Sequence, residues 1–289
     1  MLKDLILLIA IVFLSSDALR GQMEQISRSA RGRVGAAVLM LETGKSADFG
    51  GDEQFPMQSV YKLPIGMAVL HAVDHGSLNL EQKVRVEQSD LVPSPLHSPI
   101  REKYPKGGAE LSVRELLRYM VSESDGTACD VLLRLTGGPE QVTGYLWDLG
   151  IRGLVVATTE KEMALDEMVQ YRNSATPKAA VELLSALHEG RGLSASSRKL
   201  LLQLMTETTT GPRRIKGLLP PDTIVAHKTG TSGTVKGLTR ATNDVGLVTL
   251  PDGKHLAVAV FVSDSKADQT VRESVIARIA RAAWEWGKQ

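Results

Sequence analysis

Val245-Gly246-Leu247-Val248-Thr249-Leu250-Pro251-Asp252-Gly253-Lys254-His255-Leu256-Ala257-Val258-Ala259-Val260-Phe261-Val262 sets two apolar runs on either side of a Pro-Asp-Gly turn. Short valine-rich runs joined this way read as an antiparallel hairpin with strands at residues 245–250 and 256–262. A hairpin alone is marginal in water and needs partners. Residues 224–227 run apolar into Lys228-Thr229-Gly230-Thr231, and in residues 33–41 Val34, Ala36 and Val38 recur at every second position before the turn Thr43-Gly44-Lys45. From 57 to 205 the period becomes helical, with helices expected at 113–121, 127–135, 141–149, 177–189 and 197–206. A short polar helix is expected at 23–31 and an amphipathic one at 270–286. The fold class is therefore α+β: an α/β/α sandwich whose antiparallel sheet is flanked by terminal helices. Residues 19–56 and 207–289 form the discontinuous α/β domain, with a mostly helical domain, 57–206, inserted between. A site is expected in the cleft between them. Two long loops, 89–110 and 157–176, read as functional, because idle loops of that length are uncommon.

The chain of 289 residues can bury a sizeable core. A net charge of +1 with 4% aromatic residues offers no footprint for nucleic acid. Met1-Leu2-Lys3-Asp4 precedes an apolar stretch, residues 5–14, too short to span a bilayer comfortably. With Ser16-Asp17-Ala18 as a small-x-small cleavage site, residues 1–18 read as a secretory signal peptide; a retained anchor is the rival reading. The mature protein is expected to be a periplasmic or extracellular monomer without stable membrane association. The lone Cys129 has no internal disulfide partner and reads as a small core residue.

Ser-x-x-Lys occurs at Ser59–Lys62, Ser196–Lys199 and Ser263–Lys266. Only Ser59 opens a strongly apolar helical run, so the unpaired amides of a helix N-terminus lie beside it, and Lys62 follows on the same face. Ser196 reads as part of a helix start on a solvated face, and Ser263 as a polar strand exit. A serine hydroxyl needs an adjacent base to attack. Lys62 can serve if a second cation and a dry cleft depress its pKa, and Lys228 could be that cation. Ser124, in Ser124-Asp125-Gly126, could pass a proton to a leaving nitrogen, while Asp125 caps the next helix. Gly230 would let a substrate approach the strand closely. The amides of Ser59 and Thr231 would form an oxyanion hole. His71 and His75 have the spacing of a zinc pair, but no third ligand suggests itself and Ala72 stands where a metalloprotease would need a glutamate. No metal and no cofactor are expected.

Ser59-x-x-Lys62, Ser124-Asp125-Gly126, Glu160 and Lys228-Thr229-Gly230, in this order, resemble the signature motifs of the penicillin-recognising serine enzymes. Glu160 in its own loop points to the class A β-lactamases. Residues 163–173, with Val169-Gln170-Tyr171, look most similar to the extended-spectrum branch containing the PER and VEB enzymes. The resemblance runs from about Val34 to Trp286. It implies that Ser59 attacks a β-lactam carbonyl. Its proton goes to Lys62, or to Glu160 through a water. Ser124, assisted by Lys228, protonates the lactam nitrogen, and Glu160 activates the hydrolytic water. Thr229, Thr231 and Arg214 would bind the substrate carboxylate, with Arg213 the alternative to Arg214. Asn243 stands where many members carry another carboxylate-binding arginine, and His97 would border the cleft. Three departures stand out. Gly126 replaces an asparagine that contacts the substrate side chain. Ala164 replaces one that helps hold the hydrolytic water. Thr158 and Asn173 replace an arginine–aspartate clasp at the loop neck.

Three functions follow from this set. Hydrolysis of β-lactams, giving antibiotic resistance, uses every residue named. A D-Ala-D-Ala carboxypeptidase or transpeptidase would share the acylation residues without needing Glu160. A β-lactam receptor domain would acylate and stay acylated.

Overall fold

The structure is a computed structural model that describes residues 15–289; the apolar stretch 5–14 lies outside the described residues. The main sheet is built from β1 (Arg33–Met40), β2 (Ser46–Phe49), β3 (Val225–Thr231), β4 (Leu238–Thr249) and β5 (His255–Ser265). Their order is β2-β1-β5-β4-β3, every pairing antiparallel, with Thr234–Val235 laid on the start of β4. The expected hairpin is thus its centre, and the N-terminal strand closes on it with Val34 opposite Val262. Both central strands are buried on two faces, which is why their apolar runs are continuous instead of alternating.

The two faces differ in side-chain size. Val34, Val38, Val258, Val260 and Val262 face the terminal helices α1 (Ser16–Ser27) and, at the other end of the chain, Gln269–Gly287. Ala37, Ala257, Ala259 and Phe261 belong to the core on the opposite face, where helix Pro177–Glu189 packs on β1 and β5. The expected α/β/α layering follows from this division. The helical part contains α2 (Lys62–Asp74), α3 (Val113–Val121), α4 (Gly126–Leu135) and α5 (Glu160–Leu165), followed by α6 (Pro177–Glu189) and α7 (Ala195–Thr206); α8 is Gln269–Gly287. Residues 62–70 of α2 are all buried, as a helix apolar all round requires. Starts are set by side-chain caps: Ser112 with Glu115 for α3, Asp125 for α4, Thr159 with Glu162 for α5, and Thr176 ahead of Pro177 for α6.

Several boundaries differ from the sequence reading. α1 begins at Ser16, capped by Ser15, and buries Leu19, Met23 and Ile26, so it is amphipathic where a polar helix at 23–31 was expected. Ser16-Asp17-Ala18 forms its first turn. β4 extends back through residues 239–244, where Thr239, Thr242, Asn243 and Asp244 are polar residues whose burial no hydrophobic period reveals. The two long loops carry short helices, Pro99–Lys103 in the first and α5 in the second. No helix among the described residues is long and apolar enough to cross a membrane.

Phe55 crosses β1 at Gly35 and stacks on Phe261 with ring centroids 5.8 Å apart. A Cβ at position 35 would stand 2.3 Å from the Phe55 ring and 2.8 Å from Pro177. Gly35→Ala should therefore destabilise the fold by about 1–3 kcal/mol through overpacking. Urea unfolding would read this as a lower midpoint at unchanged slope.

Candidate active site

Ser59 lies in the one-turn 3-10 helix Gln58–Tyr61 that feeds directly into α2. The turn before it is bent sharply, with Gln58 at φ 46°. Three contacts hold that turn. The buried Asn243 side chain donates to the carbonyls of Pro56 (2.8 Å) and Met57 (3.1 Å), and the Met57 amide donates to Asn173 O (2.9 Å). The Met57 carbonyl also lies over Gly230, where a Cβ would stand 2.2 Å from it. Glycine at 230 is thus required by the chain's own close approach, whereas the sequence suggested the approach of a substrate.

Lys62 is fully buried and its Nζ is the hub of the site. It donates to Ser59 Oγ (3.0 Å) and to Ser124 O (2.8 Å), and lies 2.7 Å from Glu160 Oε1. Ser124 is held at φ 62°, a conformation that costs a non-glycine residue energy and that these contacts over-determine. Lys228, on β3, donates to Ser124 Oγ (2.9 Å) and Thr229 O (3.2 Å) and has no carboxylate partner within ion-pair distance among the described residues. Burial would lower both lysines, but their surroundings separate them. At Lys62 the Glu160 carboxylate outweighs burial and holds the ammonium above its ordinary range. Lys228 is pushed down to about 7 by burial and then by the neighbouring Lys62 cation. The sequence reading expected the depressed lysine to be Lys62, with Lys228 as the cation beside it; here Lys228 is the one depressed. The physical reason is Glu160, which chooses Lys62 as its partner.

These groups border a cavity of about 510 Å³. Ser59, Lys62, Ser124 and Glu160 line one side, Thr229, Thr231, Arg213 and Arg214 another, and Leu96 and His97 form a wall. His97 is exposed, with Nε2 2.9 Å from Glu123 O. Lys228 lies just beneath, reaching the cavity through Ser124. Arg214 is buried, donating to Gly230 O (3.2 Å), Asn243 O (2.9 Å) and Thr231 Oγ1 (2.7 Å), with Glu273 3.5 Å away. Arg213 is two-thirds exposed at the rim and ion-paired to Glu273 at 2.9 Å. Gly126 opens α4 with its amide on His97 O (3.0 Å), and Ala164 is an exposed position of α5. The cavity therefore presents a nucleophile, a charged relay and a carboxylate on one wall and cationic and hydroxyl groups opposite. That arrangement suits acyl transfer to Ser59 from a substrate that carries an anion.

A model of the β-lactamase enzyme family matches residues 18–286. The chain belongs to the class A β-lactamases. It is 43% identical over 271 residues to the extended-spectrum β-lactamase PER-1 of Pseudomonas aeruginosa, covering 94% of this chain and 88% of that one. It is 40% identical over 273 residues to β-lactamase VEB-1 of the same species, covering 94% and 91%. Among solved structures, a β-lactamase from Chitinophaga pinensis superposes with a TM-score of 0.90 at 48% identity, covering 92% of this chain and 98% of that one. The TLA-1 extended-spectrum β-lactamase gives 0.91 at 42%, covering 94% and 99%.

Sequence reasoning missed three residues of this β-lactamase site. Asp130 is half-buried and accepts from the amides of Glu160 (2.8 Å) and Lys161 (3.1 Å), so it holds the N-terminus of α5 and with it the carboxylate. Thr210 shares a 2.6 Å hydrogen bond with Thr229. Asn243 holds the nucleophile turn, where comparison by position had drawn notice only to the missing arginine. None of the three lies in a recognisable motif. The loop neck lacks an ion pair but keeps a neutral clasp: Asn173 Oδ1 accepts from Ala157 N (2.8 Å) and Thr158 N (3.0 Å), and its Nδ2 donates to Thr158 O (3.0 Å). His71 and His75 bond to Gly192 O and His71 O, and no third ligand joins them among the described residues.

Replacing Asn243 by alanine leaves two buried carbonyls without their donor. Asn243→Ala should cost about 1–3 kcal/mol of stability. It should also lower kcat more than it raises KM, because the turn it releases carries the nucleophile. Steady-state kinetics below the variant's melting range would show both effects.

Proposed function

We propose that this β-lactamase opens the lactam ring through an ester on Ser59, with Lys62, Ser124, Glu160 and Lys228 as its proton-handling groups. The position of Lys62 Nζ carries the reading, since it touches Ser59 Oγ, Ser124 O and Glu160 Oε1 at once. Lys62 is charged in the resting site and cannot accept a proton as it stands. The Ser59 proton therefore ends on Glu160, either through a water or through Lys62 once Glu160 has taken the lysine's own proton. Ser59 Oγ then bonds to the carbonyl carbon while the amides of Ser59 and Thr231 hold the oxyanion. As the carbon–nitrogen bond breaks, Ser124 gives its proton to the nitrogen, and the Lys228 ammonium restores it. Proton exchange with solvent then returns Glu160 to the carboxylate and Lys228 to the ammonium. Glu160 takes a proton from the incoming water, whose oxygen bonds to the ester carbon, and passes that proton to Ser59 Oγ as the carbon–oxygen ester bond breaks.

Thr229, Thr231 and Arg214 would bind the substrate carboxylate, Arg214 acting through the Thr231 hydroxyl that it orients. His97 flanks the side-chain end. A carboxylate 2.7 Å from the nucleophile's lysine is what a carboxypeptidase, a transpeptidase or a non-hydrolysing receptor would not need. We further propose that the enzyme acts as a monomer in the periplasm or outside the cell, free of the membrane.

With a chromogenic cephalosporin, Ser59→Ala should lose at least about 10³-fold in turnover and form no mass adduct. Glu160→Gln should form an adduct that persists. Rapid turnover by Glu160→Gln would refute the assignment of the deacylating base.

The charge on Lys228 sets an alkaline limit. Its pKa in the free enzyme is about 7, below the usual lysine value, so the ammonium is present below pH 7 and is lost as pH rises through it. kcat/KM, which reports the free enzyme, should fall along that limb. Lys228→Arg keeps the cation and should move the limb to higher pH. A wild-type profile flat from pH 7 to pH 9 would contradict the role given to Lys228.

A further inference from the structure

Away from the cavity, three side chains from three separate elements converge. Glu42 lies in the β1–β2 turn, His255 opens β5, and His188 is in the last turn of α6. One ligand atom from each lies within 4.8 Å of the other two. The backbone beneath them is fixed. Leu41 N donates to His255 O (3.0 Å), His255 N to Glu42 Oε2 (2.9 Å), and α6 stops at Gly190, φ 75°. Glu42 Oε1 and His255 Nδ1 are 2.8 Å apart, and the His188 ring stands 4.5 Å from the His255 ring, centroid to centroid. The ring nitrogens of His188 have no hydrogen-bond partner among the described residues, although the ring is half-buried.

We propose that Glu42, His188 and His255 bind a late first-row divalent cation, Cu²⁺ or Ni²⁺, at the junction of the sheet with α6. The separations favour a tetragonal site. Ligand bonds of about 2.0 Å put neighbours at a right angle about 2.8 Å apart and opposed ligands about 4 Å apart. The first value matches the Glu42–His255 pair as it stands. The second lies within a small side-chain shift of the widest separation, and two imidazole nitrogens with a carboxylate oxygen suit these ions. Neutral His255 needs only to carry its proton on Nε2, leaving the Nδ1 lone pair to the metal. The carboxylate oxygen Oε2 keeps its bond to the His255 amide, and so fixes the ligand's direction.

The flanking charges are mostly spoken for. Arg198 donates to His188 O (2.6 Å), Lys254 pairs with Asp252 (2.6 Å), and Glu189 pairs with Arg191 (2.9 Å). None of the three ligands lines the catalytic cavity. A bound ion would therefore tie α6 to the sheet and raise thermal stability without changing hydrolysis.

The test is titration of the full-length protein with Cu²⁺ in a non-chelating buffer, followed by calorimetry and electron paramagnetic resonance. The wild type should bind one equivalent, show coupling to two imidazole nitrogens and melt at a higher temperature. His188→Gln should lose one nitrogen coupling and bind at least tenfold more weakly, and Glu42→Gln should weaken binding similarly. Retained cephalosporin hydrolysis shows that each variant is folded. The double variant His71→Gln/His75→Gln removes the other histidine pair and should leave this binding unchanged. The proposal is overturned if His188→Gln titrates like the wild type, or if binding disappears only in the His71/His75 variant.

Discussion

Two lysine ammoniums and one glutamate carboxylate share a space from which water is almost excluded, and the rest of the site is arranged around that imbalance. Lys62 and Lys228 are essentially without solvent contact and Glu160 is 6% exposed. A buried charge is tolerated only when paired and hydrogen-bonded. One carboxylate can neutralise one ammonium, and geometry gives it to Lys62. Lys228 is left with a hydroxyl and a carbonyl, so its proton is held weakly. The site therefore stores a cation that an anionic substrate would complete.

Holding such groups together demands a scaffold that cannot relax. The nucleophile turn is pressed on β3 at Gly230, bonded to β4 through Asn243 and bonded to the carboxylate loop through Asn173. Each contact uses a neutral group worth about 1 kcal/mol in net stability, but far more costly to leave unpaired. The sheet needs polar residues in its interior to do this, and Thr239–Asp244 of β4 supplies them.

Those same residues mark where the sequence stopped being legible. The central hairpin and α3 and α6 follow from periodicity and turn chemistry, because in them burial and hydrophobicity coincide. Ser59, Lys62, Ser124, Glu160 and Lys228 were readable because each stands in a short motif and the motifs keep one order. Asn243 and Asp130 do not. One sits in a strand segment whose polarity hides its burial, the other on a helix face turned to a loop thirty residues later. Their roles depend on which backbone atoms arrive beside them, and no local pattern encodes that. Which of the two lysines is depressed was hidden for a related reason. Both are lysines of short motifs that also carry a hydroxyl residue, and only the position of one carboxylate separates them.

The carboxylate loop shows which of its fastenings govern that position. At its tip, Arg240 joins Glu167 (2.7 Å) to Asp264 (3.4 Å), and Tyr171 bonds to Asp264. The Arg240 pairs are partly exposed, a class worth about 0–1 kcal/mol and weakened by salt. At the neck and at the start of α5, Asn173 and Asp130 make half-buried to buried bonds to backbone amides, which salt screens less. Asp130, pushed up to about 6 by burial, remains an acceptor at neutral pH. Glu160 is accordingly placed by these more sheltered contacts, while the surface pairs only trim the loop's outer half. Because the Asn173 carbonyl also receives the Met57 amide, the loop that carries Glu160 and the turn that carries Ser59 rest on one residue. A shift in either is transmitted to the other, which keeps Lys62 in reach of Ser59 and Glu160 together.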